Sequence, residues 1–525
     1  MKPIVRTAIL LALLPLQAAA QYPNVRVSLA SSTTPEEVCV AVNPANPLQL
    51  AAGANIRFYY RSTDGGLTWA QSSMSSTAFG VWGDPCLVFD NTGTLYYGHL
   101  SNTPSPGYWI DRIVVQTSTN HGQTWTDGVG VGFRSPKEQD KEWLGVDYTA
   151  SPYRNNVYMA WTEFDNYGSS NRSDSSRIRF SRTTDRGVTW MSPVVLSDRG
   201  GNCIDSDSTV EGAVPSVGPN GEVYVAWSGP AGIMLDRSTD GGVTWGRDVF
   251  VRDHPGGWDM AIPGINRCNG MPITGCDISN SRYRGNVYIG WADQRNGLTD
   301  TDIFFIRSTD GGATWGGEKR VNTDLTQTHQ FFPWMTVDPV TGYIYFVFYD
   351  RRATTGNATD VYVARSTDGG DSFTNFKVSA TSFTPQSSVF FGDYTGIAAL
   401  NGKVYPIWMR MDGTALSVWT ALVTDSVATG AGEPEGTPAA FLLEQNYPNP
   451  FNPSTMIAFE LPAAGAVRLV VTDALGREIE TLVDGERPAG RSTVAWNPAG
   501  LASGVYYYTL TSGAHRETKR AVLVR

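Results

Sequence analysis

The sequence predicts an all-β protein, in which a large domain built from repeated four-stranded units is followed by a small second β domain. Three observations support this. The composition, with 55 Gly, 16 Trp and 23 Tyr in 525 residues, favours short strands joined by tight turns. One eight-residue motif recurs six times in a single frame, and pairs of alternating strands define seven units.

The repeated motif reads Ser-x-Asp-x-Gly-x-Thr-Trp. Three copies are intact and three are degraded, and they begin at Ser62, Ser118, Thr183, Ser238, Ser308 and Ser366. In such a motif the Asp accepts hydrogen bonds from the turn, a Gly takes positive φ, and the Trp packs between sheets. We therefore assign the motif to the scaffold and not to catalysis.

Two predicted strands precede most copies of the motif. The first of them ends in an aromatic residue, and the second, next to the motif, is an alternating strand. A further unit without the motif runs from Val389 to Val423, which brings the count to seven. Its missing fourth strand is predicted at Val25–Leu29. An N-terminal strand in that position would close a ring of sheets and leave no free edge.

The six motifs resemble the Asp box of the sialidase-type (bacterial neuraminidase repeat) β-propellers. The resemblance implies a β-propeller over residues 21–423, with seven blades predicted and six, the number in sialidases, as the alternative. It also implies that the boxes lie on the face opposite the active site. The early Arg-Ile-Pro motif of sialidases is absent, because the comparable stretch reads Asn55-Ile-Arg57. No sialidase catalytic residues are carried over.

The two ends of the chain predict export. Residues 1–20 read as a signal peptide: Lys2 and Arg6 precede an apolar stretch, and Ala18–Ala20 form a small-residue cleavage site. No later segment reaches the roughly 18 apolar residues of a membrane span. Residues 424–440 read as a flexible linker.

The segment 441–525 contains Asn446-Tyr-Pro-Asn-Pro-Phe-Asn-Pro453, Asp473-Ala-Leu-Gly-Arg477 and Lys519-Arg-Ala-Val-Leu-Val-Arg525 in order. It resembles the type A sorting domain of the type IX secretion system. The resemblance implies a small Ig-like β-sandwich, the type IX machinery as a partner, and a secreted or cell-surface protein that passes through the periplasm of a Gram-negative bacterium. An ordinary adhesive Ig-like module is the alternative.

Charge and motif content exclude several functions. The net charge is −10 and no Lys/Arg run is present, so a nucleic-acid partner is not expected. The five His are widely separated, and no Cys-x-x-Cys, Gly-x-Ser-x-Gly or phosphate-binding loop occurs. No metal or other cofactor is predicted, with Ca²⁺ among the channel carboxylates left open. Of the five Cys, Cys268 and Cys276 are near enough in sequence for a disulfide, and buried free thiols are the alternative.

Acidic residues fall near the start of the predicted innermost strand in six of the seven units. Crowded carboxylates raise one another's pKa, which suits a general acid beside an ionised base. The candidate catalytic residues are Glu142, Glu211, Asp259, Asp393 and Tyr394. The alternative for these carboxylates is solvated strand ends, or a cation or water network that fills the channel.

Aromatic and cationic residues near the same face are the candidates for binding sugar rings and their carboxylates. They are Trp143, Trp258, Arg295, Asp350, Arg351, Arg352 and Arg410. The sequence thus predicts a secreted propeller that binds and hydrolyses extracellular glycans or polysaccharides, a glycoside hydrolase if it is an enzyme. The alternative is a non-catalytic propeller that binds glycan or protein at the cell surface.

Overall fold

The computed structural model describes residues 22–103, 109–204, 206, 208–425, 441–443, 445–446, 449–452, 454–487, 490–498, 500–513 and 515–524. The chain divides into two compact units, Met1–Thr424 and Asp425–Arg525. Every regular element in the described ranges is a β-strand. The predicted signal peptide and most of the predicted linker lie outside the described residues.

The described residues of the first unit form seven antiparallel sheets. Strand β1 (Asn24–Arg26) precedes them in the chain, and the next strands form six sheets of four strands in sequence order. The first three sheets consist of β2 (Glu36–Val42), β3 (Leu50–Asn55), β4 (Phe58–Ser62) and β5 (Ala70–Ser73); β6 (Cys86–Phe89), β7 (Leu95–Asn102), β8 (Trp109–Ser118) and β9 (Val129–Val131); and β10 (Glu138–Val146), β11 (Val157–Phe164), β12 (Ser176–Thr183) and β13 (Val194–Val195).

The next three sheets repeat this order. They consist of β14 (Glu211–Val217), β15 (Val223–Gly229), β16 (Gly232–Ser238) and β17 (Val249–Arg252); β18 (Ile273–Cys276), β19 (Val287–Asp293), β20 (Asp302–Ser308) and β21 (Lys319–Arg320); and β22 (Gln330–Val337), β23 (Ile344–Asp350), β24 (Asp360–Ser366) and β25 (Thr374–Lys377).

The seventh sheet joins the two ends of this unit. It contains β26 (Gly396–Leu400), β27 (Lys403–Asp412), β28 (Ala415–Ala421) and β29 (Val423–Thr424), and β1 pairs with β28 as the outermost strand. Val25 pairs with Thr420, and the Val27 N–H donates to the Val418 carbonyl at 2.8 Å. The prediction that an N-terminal strand completes the last unit is confirmed, with the strand beginning one residue earlier and ending three residues earlier than expected.

The first strand of each sheet, here called the inner strand, packs against the inner strands of the sheets on either side. These contacts run from β2 through β6, β10, β14, β18, β22 and β26 and return to β2. Most second strands are buried along their whole length, as β11, β15, β19 and β23 show. Burial on both faces explains why these strands read as apolar runs ending in an aromatic residue.

The six repeated motifs form one kind of turn at the C-terminal end of the third strand. In the first copy, the Ser62 hydroxyl donates to Asp64 Oδ1 at 2.7 Å, and Asp64 accepts from the Thr68 N–H at 3.0 Å and its hydroxyl at 2.6 Å. The same bonds recur in the other copies, and Asn120 replaces Asp in the second. Each turn is closed by its own residues, so the motif is a local structural unit.

The second unit contains two sheets around one apolar core. Its strands are β30 (Leu442–Leu443), β31 (Thr455–Leu461), β32 (Gly465–Thr472), β33 (Glu478–Arg487), β34 (Gly490–Trp496), β35 (Gly504–Ser512) and β36 (His515–Leu523). One sheet has the order β30-β31-β34 and the other β33-β32-β35-β36. Ile457 and Phe459 of the first sheet and Leu469 and Tyr508 of the second are fully buried in the shared core.

All five cysteines are buried free thiols. The predicted Cys268–Cys276 disulfide is therefore wrong, and the alternative of free thiols holds. Cys268 lies in the large central core cluster, whereas Cys276 ends strand β18 and packs with residues of β15 and β19. Their closeness in sequence does not bring them together, because the strand between them separates their surroundings.

Candidate functional site

The inner strands begin with an irregularity that turns polar side chains toward a common centre. The strand pairing shifts register between Glu36 and Cys39 and again between Asp140 and Trp143. Glu37, Asp84 and Lys141 lie two residues before the first regularly paired residue of their strands, and all three have φ near 50°. Left-handed backbone at a non-glycine residue is costly and concentrates where the surrounding structure holds it in place.

The centre of the site is the Lys141 ammonium group. Lys141 Nζ lies 2.7 Å from Asp393 Oδ2, 3.3 Å from Asp84 Oδ2 and 3.6 Å from Glu37 Oε1, so one cation joins carboxylates from three other sheets. All four side chains are at least nine-tenths buried. A buried charge needs partners, and here each charge has them.

Asparagine and arginine side chains complete this network. The Asn55 amide donates to Glu37, and Asn55 Oδ1 accepts from the Asp84 N–H at 2.6 Å. Arg267, from the loop before β18, donates through Nε to Asp393 Oδ1 at 3.0 Å and through a second nitrogen to Asp393 Oδ2. Two cations therefore hold Asp393 in place.

A glycine allows the seventh sheet to approach the first. A Cβ atom at Gly392 would lie 2.7 Å from the backbone nitrogen of Glu37, and Gly392 has φ 95°. Only glycine fits such a contact without displacing the chain. This close approach brings Asp393 beside Glu36 and Glu37.

The carboxyl groups of the network have widely different pKa values. Burial and the neighbouring Asp84 hold the pKa of Glu37 well above its usual range. Burial opposes ionisation of Asp393 as well, but Lys141 and Arg267 outweigh it and lower the pKa of Asp393 to about 2. For Glu36, burial and the negative charge of Asp393 raise the pKa to about 7. Glu36 is only half-buried, so within the network it is the carboxyl group that solvent reaches.

Aromatic rings lie next to these charges. The Trp143 and Trp334 ring centroids are 4.2 Å apart, and Tyr394 meets Trp143 edge-on at 4.9 Å. Phe390 is half-buried, and the Arg267 guanidinium lies 5.2 Å from its ring centroid. Glu36, Arg267, Phe390 and Trp334, here called the mouth cluster, are the partly exposed groups around the network.

The structure buries four of the five predicted catalytic residues. Glu142 is 1% exposed, Glu211 1%, Asp393 2% and Tyr394 3%. Neither carboxylate oxygen of Glu142 nor the Tyr394 hydroxyl has a hydrogen-bond partner among the described residues. Burial and nearby carboxylates, first among them Asp84, hold the pKa of Glu142 and of Tyr394 well above their usual ranges.

The predicted position of Asp259 is wrong. The inner strand of the fifth sheet begins at Ile273, and Asp259 is an exposed residue of the preceding loop. The sequence suggested otherwise because a long insertion, 253–272, separates the outer strand β17 from β18.

The predicted binding residues form two groups. Trp143 and Trp258 are 6% and 4% exposed and pack within the core. Arg295, Arg352 and Arg410 pair with acidic residues of their own strand ends, namely Asp293, Asp350 and Asp412. Arg351 is 4% exposed, and burial lowers its pKa to about 10. The structure does not bring these four arginines together at one site.

Sequence reasoning missed Lys141 and Arg267. Cys39, Cys86 and Trp143 occupy equivalent positions in the first three inner strands. The residues two positions earlier are Glu37, Asp84 and Lys141, so this alignment could have identified Lys141. The prediction instead aligned Glu142 with the acidic positions, one residue out of register. Arg267 lies in a loop of irregular length and has no such signal.

The described residues include no group of three or more His, Cys, Asp or Glu side chains arranged to hold a metal ion. Within the network, the positive charge between the carboxylates is that of Lys141. None of the described residues forms a helix long and apolar enough to cross a membrane.

Comparison with curated proteins gives a match of limited extent. A xyloglucanase from a Paenibacillus species is 31% identical over 154 residues, which is 28% of this chain and 14% of that protein. Since the chain spans so little of its length, the match carries no activity over to this chain.

Solved structures give fold likenesses at low identity. An ulvan lyase has a TM-score of 0.46 at 11% identity and covers 77% of this chain and 96% of its own. A sialidase from Streptococcus pneumoniae has a TM-score of 0.41 at 8% identity, covering 71% and 83%. An α-L-arabinofuranosidase from Fusarium graminearum has a TM-score of 0.42 at 13% identity, covering 66% and 94%. At these scores the likenesses carry no conclusion about chemistry.

The C-terminal unit gives the clearest match. Residues 445–524 match the family described as secretion system C-terminal sorting domain. This confirms the predicted sorting segment. The chain therefore carries a type IX sorting tail, which directs it to the cell surface or the medium.

Proposed function

We propose that the first unit is a seven-bladed β-propeller that hydrolyses extracellular polysaccharide at the mouth cluster, with Glu36 as the proton donor. The observation that carries the proposal is the half-buried Glu36 beside the buried Asp393, which is ion-paired with both Lys141 and Arg267, an arrangement that separates the pKa values of the two carboxyl groups. A carboxyl group with a pKa near 7 is protonated in part at neutral pH and can give its proton to a glycosidic oxygen. The ionised Asp393 beside it supplies the negative charge that keeps this proton in place. Once the glycosidic oxygen has taken the proton, the bond from that oxygen to the anomeric carbon breaks, and a water molecule adds to the carbon and releases a proton to the solvent.

The buried network has a positioning role in this proposal. Lys141 and Arg267 hold Asp393 ionised, and the Gly392 contact fixes its distance from Glu36. Trp334 and Phe390 are the partly exposed aromatic rings of the mouth cluster, and such apolar faces suit a sugar substrate. The absence of a cofactor stays a prediction, with Ca²⁺ at the carboxylates as its alternative.

The test is hydrolysis by the full chain. Purified protein is incubated with a panel of neutral and acidic polysaccharides, and new reducing ends are measured against pH. We expect activity to fall as the pH rises through about 7, and Glu36→Gln to lose at least roughly 100-fold in kcat. Glu222→Gln is the matched control. Glu222 is half-buried like Glu36, but it follows the turn at the opposite end of an inner strand, β14. Unchanged hydrolysis by Glu36→Gln would exclude Glu36 as the acid.

A second candidate is a propeller that binds glycan without cleaving it. The burial of Glu142, Glu211, Asp393 and Tyr394 favours it, because groups below 4% exposure do not reach a substrate without a rearrangement. Binding to a glycan array with no product released would support this function over hydrolysis.

The domain plan belongs to the same proposal. The closed series of inner-strand contacts supports seven blades over six, and the two sheets of the second unit suit an Ig-like sandwich. We place the signal peptide at 1–20, the propeller at 21–423, the linker at 424–440 and the sorting domain at 441–525. Export then passes through the periplasm of a Gram-negative bacterium, with the type IX machinery as partner.

A further inference from the structure

Three aromatic rings form a partly exposed row beside the second and third sheets. Trp82 and Trp109 are 40% and 42% exposed, and Tyr167 is half-buried. The ring centroids of Trp82 and Trp109 are 6.0 Å apart, and those of Trp109 and Tyr167 are 6.4 Å apart. We call these three residues the aromatic row. Large aromatic rings that are exposed next to one another are typical of interaction sites, whereas single exposed rings are common on any protein surface.

Hydrogen bonds hold the row in place. The Trp82 N–H donates to the Leu100 carbonyl at 3.0 Å, and the Leu100 N–H donates to the Gly83 carbonyl at 3.0 Å, so this segment runs along strand β7. Trp109 begins strand β8 and pairs with Asn102. These bonds fix the backbone under the rings, and the edge-on contacts between the rings restrict their side chains, so less freedom is lost when a ligand stacks on them.

Tyr167 is fixed from the neighbouring sheet. Its N–H donates to Glu138 Oε2 at 2.5 Å, and its ring meets the buried Phe164 edge-on at 5.0 Å. Glu138 begins strand β10, which also carries Lys141, and Trp82 lies two residues before Asp84. The row is therefore at the same end of the inner strands as the mouth cluster.

Four basic side chains of the second and third sheets and the loop between them, Arg112, Arg134, Lys137 and Arg177, are paired with carboxylates. Arg112 binds both carboxylate oxygens of Asp111, at 2.8 and 2.9 Å, while its guanidinium lies 4.2 Å from the Phe133 ring centroid. The other cations pair as Arg134–Glu163 at 2.9 Å, Arg177–Glu163 at 2.8 Å, Arg177–Asp165 at 2.8 Å and Lys137–Asp165. An acidic polymer would need cations free to pair with it, and these already have partners. The surface suits a neutral ligand.

We propose that the aromatic row is a binding subsite for a neutral polysaccharide. Because the Trp82 and Trp109 rings meet edge-on at 75°, different pyranose rings of the polysaccharide stack on the two ring faces. The C–H faces of a sugar ring match an aromatic face, and the paired charges at the rim offer hydrogen bonds to its hydroxyl groups without demanding a charge. The inference rests on the proposed function and deepens it, since it assigns the substrate class bound at the end of the inner strands where Glu36 lies.

The test measures binding apart from hydrolysis. Full-length protein is run through native gels containing xyloglucan, hydroxyethylcellulose or galactomannan as neutral probes, and alginate or polygalacturonate as acidic ones. We expect retardation by a neutral probe and a loss of roughly tenfold in affinity for Trp82→Ala and for Trp109→Ala. Trp82→Phe retains most of the affinity. Phe250→Ala is the matched control, because Phe250 is a 55% exposed ring on the outer strand β17.

The outcomes separate the subsite from the chemistry. Weaker binding by the two Trp variants supports the subsite whether or not any polysaccharide is cleaved. Hydrolysis that depends on Glu36, with binding unchanged in both Trp variants, overturns the subsite and leaves the proposed function standing. Retardation by none of the neutral probes, or an equal preference for the acidic ones, also overturns it. Thermal unfolding of each variant confirms that it is folded.

Discussion

Both ends of the propeller sheets carry acidic residues, and the two ends use them differently. At the end of the sheets that carries the repeated motifs, here called the box end, each Asp is bound by its own turn. In one copy, hydrogen bonds from the Thr314 hydroxyl, the Thr314 N–H and the Ser308 hydroxyl lower the pKa of Asp310 to about 2. At the other end, Glu37, Asp84 and Asp393 come from three sheets and meet at one lysine. The first arrangement is local and repeated, whereas the second exists only when the ring is assembled.

The largest effect on stability is expected when the strand that closes the first unit is removed. Removal of residues 22–28 takes away strand β1 and the buried Val27 and leaves β28 as an open edge. Each lost ladder bond contributes roughly 0.5–1.5 kcal/mol, and the burial of Val27 adds to this. We expect the thermal midpoint to fall by roughly 10 °C or more, with aggregation.

The control for that deletion is truncation after Asp425, which leaves the seven sheets intact and should leave the midpoint almost unchanged. Differential scanning calorimetry measures both variants. A deletion that melts like the parent would mean that β1 contributes nothing to closure.

The next largest effect is expected at the centre of the network. Lys141→Met leaves three buried carboxylates without their common cation, and loss of one partner from a buried ion pair costs about 3–5 kcal/mol. Urea unfolding at pH 7 measures the change in the free energy of unfolding. Lys319→Met is the control, because its ion pair with Asp371 is exposed and should change stability by less than about 1 kcal/mol. Equal effects of the two substitutions would contradict the role of Lys141.

The dependence of stability on pH gives a smaller effect. Burial and Asp393 raise the pKa of Glu36 to about 7, so the folded protein keeps a proton that the unfolded chain releases from about pH 4.5 upward. Stability is therefore lost as the pH rises from about 4.5 to 7 and stays lower above that range. Glu36→Gln should remove this loss and make the variant more stable than the parent at pH 8, by on the order of 1–2 kcal/mol.

The measurement is urea unfolding at pH 4 and pH 8. The parent and Glu36→Gln should differ less at pH 4 than at pH 8, and Glu222→Gln should follow the parent at both. A Gln variant that loses stability between the two pH values as much as the parent does would show that Glu36 is not the group that titrates.

The smallest effect is expected at the box end. Asp240 accepts bonds from Ser238, Val243 and Thr244, so Asp240→Ala should cost about 1–2 kcal/mol. Asp240→Asn should cost less than about 0.5 kcal/mol, because Asn120 makes equivalent bonds in the second box. Chemical denaturation compares the two. A cost for Asn as large as that for Ala would mean that the charge, and not the hydrogen-bonding pattern, holds the turn.

The same contrast explains what the sequence could predict. The boxes and the strands before them follow from local chemistry, and the N-terminal strand could be placed because one unit lacked its fourth strand. Lys141 could not be recognised in this way, because its partners are up to 252 residues away and its bulge shifts the alignment by one position. Asp259 was misplaced because the length of a loop says nothing about where the next strand begins. The exposed Trp82 and Trp109 had no local signal, since exposure depends on what packs nearby.

The closing strand also has a consequence for the order of synthesis. Ser28 and its hydrogen-bond partner Val418 are 390 residues apart, so β1 leaves the ribosome long before β28, the strand with which it pairs. Until then, β1 has no partner strand, and the inner strand β2 lacks its packing against β26. The series of inner strands therefore closes only after nearly all of the first unit has been synthesised.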